Sequence, residues 1–172
     1  MFNLPESPET IGFRQIRKKE IKKIYPLIKE YLAKFKVSMS FTQEEAVHYL
    51  NPREGVIYSY VVEDPKTKEL TDFVSFYALN STILKNEKYD LMNCAYCWYH
   101  VSTKTPLDLL MKDAIIMAKN EGFDVFNMLN IMDNEEVFES LKFQKSSGTL
   151  HYYLFNYKLG NLNPNDIGIV LV

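Results

Sequence analysis

Two β-forming runs separated by a short polar turn constrain this chain more than any other feature. Residues 56–63 read VIYSYVVE and residues 70–79 read LTDFVSFYAL, both dense in β-branched and aromatic side chains. Asp64-Pro65-Lys66-Thr67-Lys68 lies between them. Such runs around turn-forming residues predict an antiparallel hairpin. After a polar loop at 80–90, LMNCAYCWYHV at 91–101 predicts a third strand. FDVFNML at 123–129 predicts a short buried strand, and TLHYYLFNYK at 149–158 a further one. The chain finishes on IGIVLV, again strand-forming.

Helices are expected between these runs. Ile21, Ile24, Leu27, Ile28, Tyr31, Leu32 and Phe35 recur at helical spacing, although Pro26 falls inside the pattern and would kink the helix or delay its start. Thr42 followed by Glu45 has the form of a capping box, for a short helix through about Tyr49. Thr105-Pro106 opens the clearest helix, with Thr105 as N-cap and Pro106 at the first helical position. Leu110, Met111, Ala114, Ile115 and Ala118 form its apolar stripe, and Gly122 ends it as a left-handed cap. Asp133 and Glu136 would cap another short helix ending near Leu141. Residues 1–13, rich in proline and acid, read as a linker or entry strap, and 14–172 as one domain. Strands in hairpins followed by strand–helix–strand define the class as α/β (α+β), a mixed, largely antiparallel sheet with flanking helices.

Composition narrows the function classes. A chain of 172 residues can bury roughly 70% of its unfolded surface in one core. The net charge of −2 gives no general affinity for nucleic acid or anionic membrane. No apolar run approaches the roughly 20 residues of a membrane span, and the N-terminus lacks the pattern of a secretory signal, so the expected location is cytoplasmic. Aromatics are in excess, with 12 Tyr and 11 Phe, as suits a broad sheet or a peptide groove.

Most candidate chemistry reduces to packing. Cys94 and Cys97 form a CxxC, but within a strand, where positions three apart face opposite sides; two reduced core thiols are expected. His48, His100 and His151 have no metal-ligand spacing and read as half-buried imidazoles, His48 on a helix and the others in strands. There is no GxxxxGK[ST] or GxGxxG, and the six glycines are singletons. A coenzyme A pyrophosphate needs clustered backbone N–H groups at a helix N-terminus, and no glycine-rich segment supplies them. By composition alone, the apolar C-terminus reads first as a last core strand whose carboxylate meets solvent, and second as a packed segment that carries its α-carboxylate to a defined place.

Several stretches resemble the C-terminal half of the eukaryotic N-myristoyltransferases (glycylpeptide N-tetradecanoyltransferases). They are Thr71-Asp72-Phe73-Val74-Ser75-Phe76-Tyr77, Ala95-Tyr96, Thr105-Pro106-Leu107, Gly122-Phe123-Asp124-Val125-Phe126-Asn127, Leu141-Lys142-Phe143, Tyr152-Tyr153-Leu154-Phe155-Asn156 and Gly168-Ile169-Val170-Leu171. The opening LPESPETIGFR resembles the segment that enters that half. The resemblance implies one half of a pseudo-symmetric fold whose halves are each GNAT-like. The N-terminal half would hold the co-substrate myristoyl-CoA and the oxyanion hole. The C-terminal half would supply much of the groove for a peptide with N-terminal glycine, and the chain's own C-terminal carboxylate the general base. On these residues the base is the carboxylate of Val172. Ser81 and Tyr96 match groove positions, Gly148 and Leu150 the loop and strand bordering the peptide, and Leu171 the terminal segment beside it. Ser147 stands where many members carry Asp, and Asn80 where the family often has Pro. The first departure removes a carboxylate that would attract a basic peptide residue, while Lys145 adds a positive charge nearby.

Three readings follow. The first is the peptide-binding half of such an enzyme, as a fragment or one piece of a split protein, inactive without the acyl-CoA-binding half. The second is a non-catalytic peptide-binding or interaction module derived from that half. The third, a stand-alone GNAT-type acetyltransferase, is disfavoured by the missing glycine-rich loop. Separating the halves exposes sheet edge and apolar surface, so a separate N-terminal half or self-association is an expected partner.

Overall fold

The predicted hairpin lies at the centre of a five-stranded sheet in the computed structural model, which describes residues 3–170. In chain order the elements are β1 (Phe13–Gln15), α1 (Ile21–Leu32), β2 (Val37–Ser38), α2 (Gln43–Leu50), β3 (Ile57–Glu63), β4 (Leu70–Ala78), β5 (Ser81–Thr82), β6 (Leu91–Met92), β7 (Cys94–Val101), α3 (Leu107–Asn120), β8 (Val125–Asn127) and β9 (Ile167–Gly168). The main sheet runs β1-β3-β4-β7-β8; only the β7–β8 pair, joined through α3, is parallel. At the hairpin turn, Asp64 Oδ1 accepts the N–H groups of Lys66 and Thr67 at 2.8 and 3.0 Å.

The two-residue period of the strands divides the core into two layers. Val61, Phe73 and Trp98 pack against Ile21, Ile24 and Ile28 of α1 and Leu50 of α2. Tyr60, Val74, Phe76 and Cys97 pack on the other side against Leu110, Met111, Ala114 and Ala118 of α3. Pro26 sits exposed inside α1 without ending it. An interior proline costs about 3 kcal/mol. Burying even two or three of Ile21, Ile24, Ile28, Tyr31 and Leu32, at about 1.5–3 kcal/mol each, outweighs that. The Thr42–Glu45 box forms as predicted, with Glu45 N–H donating to Thr42 Oγ1 at 3.2 Å and Thr42 N–H to Glu45 Oε2 at 2.8 Å. Gly122 has φ +85°; its N–H donates to Lys119 O and the next, of Phe123, to Ala118 O, closing a left-handed cap.

The N-terminal strap lies along α3. Buried Asp113 accepts Glu9 N–H at 2.7 Å and Thr10 N–H at 3.0 Å through its two carboxylate oxygens, and Asn120 donates to Glu6 O at 2.8 Å. The periodic stripe read from sequence omits Asp113 because a carboxylate on an otherwise apolar face carries no hydrophobic signal.

Several expectations are corrected. Residues 149–158 form no strand, because no described segment offers them a hydrogen-bonding ladder, and Tyr153, Phe155 and Tyr157 stand 87%, 99% and 70% exposed. The strand expected at 123–129 contracts to β8. Of IGIVLV, only Ile167 and Gly168 are in a strand, parallel to β2; Leu171 and Val172 lie outside the described residues. Pro106, not Thr105, occupies the N-cap position of α3, since the Thr105 hydroxyl donates to Asp72 instead. The helix expected after Asp133 is a single 3-10 turn, Asn134–Val137. Asp133 makes no cap there, its carboxylate accepting the Tyr31 hydroxyl at 3.0 Å. His48 and His151 are exposed rather than half-buried, and His151 is in no strand.

His100 is fully buried in β7. Its Nε2 lies 2.8 Å from Asn134 Oδ1, which makes Nε2 the protonated nitrogen of a neutral ring, and its Nδ1 has no partner. Burial holds its pKa below the ordinary 6.5, against the opposing influence of Asn134 and Asp133. The unfolded chain therefore binds a proton there before the folded chain does, and stability falls as pH drops below about 6.5. The carboxylates held low by their partners (Glu20, Glu45, Glu63, Asp64 and Asp166) respond only at more acidic pH. Urea denaturation is expected to show a loss of unfolding free energy between pH 7 and pH 5, with a shallower slope in His100→Gln. An unchanged slope in that variant would contradict this assignment.

Candidate functional site

The site begins with one extra residue in β7. Val74 pairs with His100 and Phe76 with Cys97, so two steps along β4 match three along β7. Ser75 thus faces both Trp98 and Tyr99, and its hydroxyl donates to Tyr99 O at 2.8 Å while accepting Tyr99 N–H at 3.1 Å. Such a bulge re-aims side chains. Here it places two consecutive residues, Trp98 and Tyr99, in the layer against α1 and α2, where alternation would have sent one to the α3 side.

Tyr99 thereby meets Val170. Its Oη accepts Val170 N–H at 3.3 Å, and Tyr152 donates to Ile169 O at 2.9 Å. The segment before them is held on both sides. Lys36 N–H donates to Asp166 O at 2.9 Å, Met132 N–H to Ile167 O at 3.0 Å, and Met39 N–H to Gly168 O at 3.3 Å. A Cβ on Gly168 would lie 2.6 Å from a ring carbon of Phe35, so only glycine allows this approach. Lys36 and Asp166 also form an ion pair at 3.1 Å.

Next to Tyr99 in the sheet is an aromatic cluster, which it meets through Trp98, the ring centroids being 5.3 Å apart. Tyr96 stacks on Tyr77 with centroids 5.5 Å apart at 22°, and Trp98 meets Tyr77 edge-on at 6.2 Å. Burial pushes the Tyr77 and Tyr99 hydroxyls up to about 12, and Tyr152 adds a smaller electrostatic effect on both. These hydroxyls stay protonated at neutral pH and act only as hydrogen-bonding groups.

Of the sequence-predicted site residues, the fold brings Tyr96 to this cluster. Ser81, in β5, pairs with Met92 in β6, four residues before Tyr96 on the neighbouring strand run. Ser147, Gly148 and Leu150 lie on the exposed stretch 144–151. Among the described residues, no hydrogen bond joins them to Ser81 or Tyr96; Gly148 N–H donates to Ser146 Oγ at 3.2 Å. Sequence reading missed Tyr77, Tyr99 and Tyr152, because nothing in a tyrosine-rich chain distinguishes a tyrosine that holds the tail from one that fills the core. Cys94 and Cys97 are free, buried thiols, with Cys97 pushed up to about 12 by burial.

One backbone cradle of the kind that binds phosphate does exist, and it is already filled. In the loop from β7 to α3, the N–H groups of Thr103, Lys104 and Thr105 converge on Asp72 Oδ1 at 2.6, 2.9 and 3.2 Å. The hydroxyls of Thr71 and Thr105 donate to Asp72 Oδ2 at 2.6 and 3.0 Å. Successive amides before a helix N-terminus make an anion site, and the protein's own carboxylate occupies this one.

The architecture defines the class first: a mixed sheet with helices on both faces, a GNAT-like fold. A solved probable acetyltransferase superimposes with a TM-score of 0.62 at 18% identity, over 86% of this chain and 99% of that one, a likeness of fold alone. The family is narrower. The model of the Myristoyl-CoA:protein N-myristoyltransferase C-terminal domain matches residues 1–170, and the chain belongs to that family. It is 44% identical to glycylpeptide N-tetradecanoyltransferase 1 of Arabidopsis thaliana, over 100% of this chain and 40% of the relative. With the Drosophila melanogaster glycylpeptide N-tetradecanoyltransferase the identity is 39%, over 100% and 36%. The Saccharomyces cerevisiae N-myristoyltransferase solved with bound myristoyl-CoA gives a TM-score of 0.88 at 35% identity, over 98% of this chain and 48% of that one. The chain thus spans about 40% of the length of the relatives named. Among the described residues, no helix is long and apolar enough to cross a membrane.

Proposed function

We propose that this chain is the C-terminal, peptide-binding half of a protein N-myristoyltransferase. It receives a peptide with N-terminal glycine and supplies its C-terminal carboxylate as the general base, while myristoyl-CoA is held by the N-terminal half of such an enzyme. The observation that carries this reading is the built seat for the tail. Residues 166–170 are hydrogen-bonded on both sides, and Val170 is buried in the same core layer as Tyr99, against which Tyr77 packs. An α-carboxyl has an ordinary pKa of about 3.5 and is a feeble base in water. Carried into apolar surroundings it is desolvated and its pKa rises, so that it can take a proton from the glycyl ammonium and free the amine to attack the thioester. The side chain of Val172 is secondary; its position at the terminus is what matters. Ser81, Tyr96, Ser147, Gly148, Leu150 and Leu171 are the proposed peptide contacts. Asp72, filling the phosphate cradle, supports assigning coenzyme A to the other half.

The exposed run of Leu150, Tyr153, Leu154, Phe155, Tyr157 and Leu159 offers an unpaired, strand-forming surface to that half or to a second copy. The reading is tested by transfer from labelled myristoyl-CoA to a glycine-initiated peptide. The chain alone is expected to give no product above background, and its mixture with the acyl-CoA-binding half of the Arabidopsis relative is expected to give product. Product from the chain alone would overturn the assignment of coenzyme A to a separate half. Peptide binding without transfer in the mixture would favour the non-catalytic module instead.

A further inference from the structure

The charge of this chain is unevenly placed. Residues 14–36 hold nine Lys and Arg against two Glu, although the whole chain carries −2. Resting on the reading of the chain as half of an enzyme that makes an acylated product, we propose that the outward face of α1, with the single turn Lys18–Glu20 before it, is a docking surface for an anionic lipid membrane. Lys18, Lys19, Lys22, Lys23 and Lys29 form it. All five are exposed, and none has an ion-pair partner among the described residues. The acid among them, Glu20, is taken by the Arg14 guanidinium at 2.8 and 2.9 Å. Arg53 and His48 extend the face across a shallow cleft of about 260 Å³ that Lys18 also lines, with Glu44 the one acid there.

A merely solvated face does not account for this placement. The N-terminal end of a helix is the positive end of its dipole and favours acids. The first turn of α1 instead holds Lys22 and Lys23 and no acid, and Lys18 and Lys19 stand just before it. Lys18 and Lys22, like Lys19 and Lys23, are four residues apart, a spacing at which like charges on a helix repel. A run that works against its own helix marks a surface kept for another purpose. Its chemistry favours lipid over nucleic acid. Arginine forks suit individual phosphates, but Arg14 and Arg17 both turn to Glu20. The lysines left over are hydrated point charges, which suit a diffuse anionic surface. Bases need aromatic rings to stack on, and the ring among these lysines, Tyr25, is half-buried with its hydroxyl on Phe41 O at 2.8 Å. No large apolar side chain of α1 is exposed, so the contact stays at the headgroups and depends on salt. The rest of the chain is net acidic, which leaves this face as the one that can approach. A single myristoyl chain holds a protein to a bilayer only marginally, and a basic face on the enzyme adds a second attraction while the product leaves.

The test is flotation of this chain with vesicles of phosphatidylcholine alone and of phosphatidylcholine mixed with phosphatidylserine. Binding is expected to the mixed vesicles only, falling steeply with added salt. The triple variant Lys19→Ala, Lys22→Ala, Lys23→Ala should bind about 100-fold more weakly, at roughly fivefold for each lysine. The control Lys66→Ala, Lys85→Ala, Lys158→Ala removes the same charge elsewhere and should change binding by less than about threefold. Alanine relieves the repulsion at the helix start, so the first variant should melt no lower than the native chain. A lower melting temperature would overturn the argument that these lysines strain α1. Equal binding to both kinds of vesicle would give the contact to the exposed apolar run at 150–159 and overturn the docking face, as would equal losses in the two triple variants. A single-stranded RNA or an acidic peptide that binds through Lys19, Lys22 and Lys23 while the mixed vesicles do not would overturn it too. Salt-sensitive vesicle binding without acyl transfer in the two-half mixture would count against the proposed enzyme and leave the docking face standing.

Discussion

Adding two residues after Val172 is expected to reduce acyl transfer by about 10²–10⁴-fold, the usual contribution of a positioned general base. That is about 3–5 kcal/mol of transition-state stabilisation. The extension leaves every described side chain in place but moves the only α-carboxylate about 7 Å further along the chain and puts a neutral amide at its former position. The loss should fall on kcat, with the KM for the peptide changing little, because the proton is needed for attack rather than for docking. Single-turnover transfer in the mixture with an acyl-CoA-binding half is the measurement. Activity within threefold of the unextended chain would mean that another group takes the proton. The tyrosine hydroxyls beside the tail are poor candidates for that group, since burial pushes those of Tyr77 and Tyr99 up to about 12.

Replacement of Asp72 by alanine is expected to cost about 3–5 kcal/mol of stability. The carboxylate accepts five hydrogen bonds, three from consecutive backbone amides and two from threonine hydroxyls. Alanine leaves those donors facing a cavity. An orphaned buried donor costs about 1–3 kcal/mol, and of the three residues giving amides only Thr105 is itself buried, so water relieves the other two. Four of the five bonds also join the start of β4 to the loop that launches α3, so the loss should spread to the packing of Leu110 and Met111. Chemical denaturation checks the magnitude, and a loss below 1 kcal/mol would show that the loop holds its shape without the carboxylate. Asparagine should be intermediate, because it keeps one acceptor oxygen for the backbone amides while its NH2 faces the Thr71 and Thr105 hydroxyls, which must turn to accept from it.

The sequence by itself determined much of the scaffold. The hairpin at β3 and β4, the capping box of α2 and the glycine stop of α3 are local devices whose partners lie within a few residues, so spacing and residue type suffice to read them. The motifs TDFVSFY and GFDVFN, with the terminal GIVL, were enough to indicate the family. Structure alone decided what Asp72, Asp113 and Thr105 do, since each is satisfied by donors or acceptors more than thirty residues away. It also decided against a strand at 149–158. That run has the composition of a strand, but a strand exists only where a neighbouring chain segment supplies the ladder, and none of the described residues does. The hydrogen bond that seats Val170 on Tyr99 was equally hidden. A single bulged residue opposite Ser75 turns Tyr99 to the side where Val170 lies, and a change in register of that kind depends on the pairing of two strands, which neither sequence segment specifies alone.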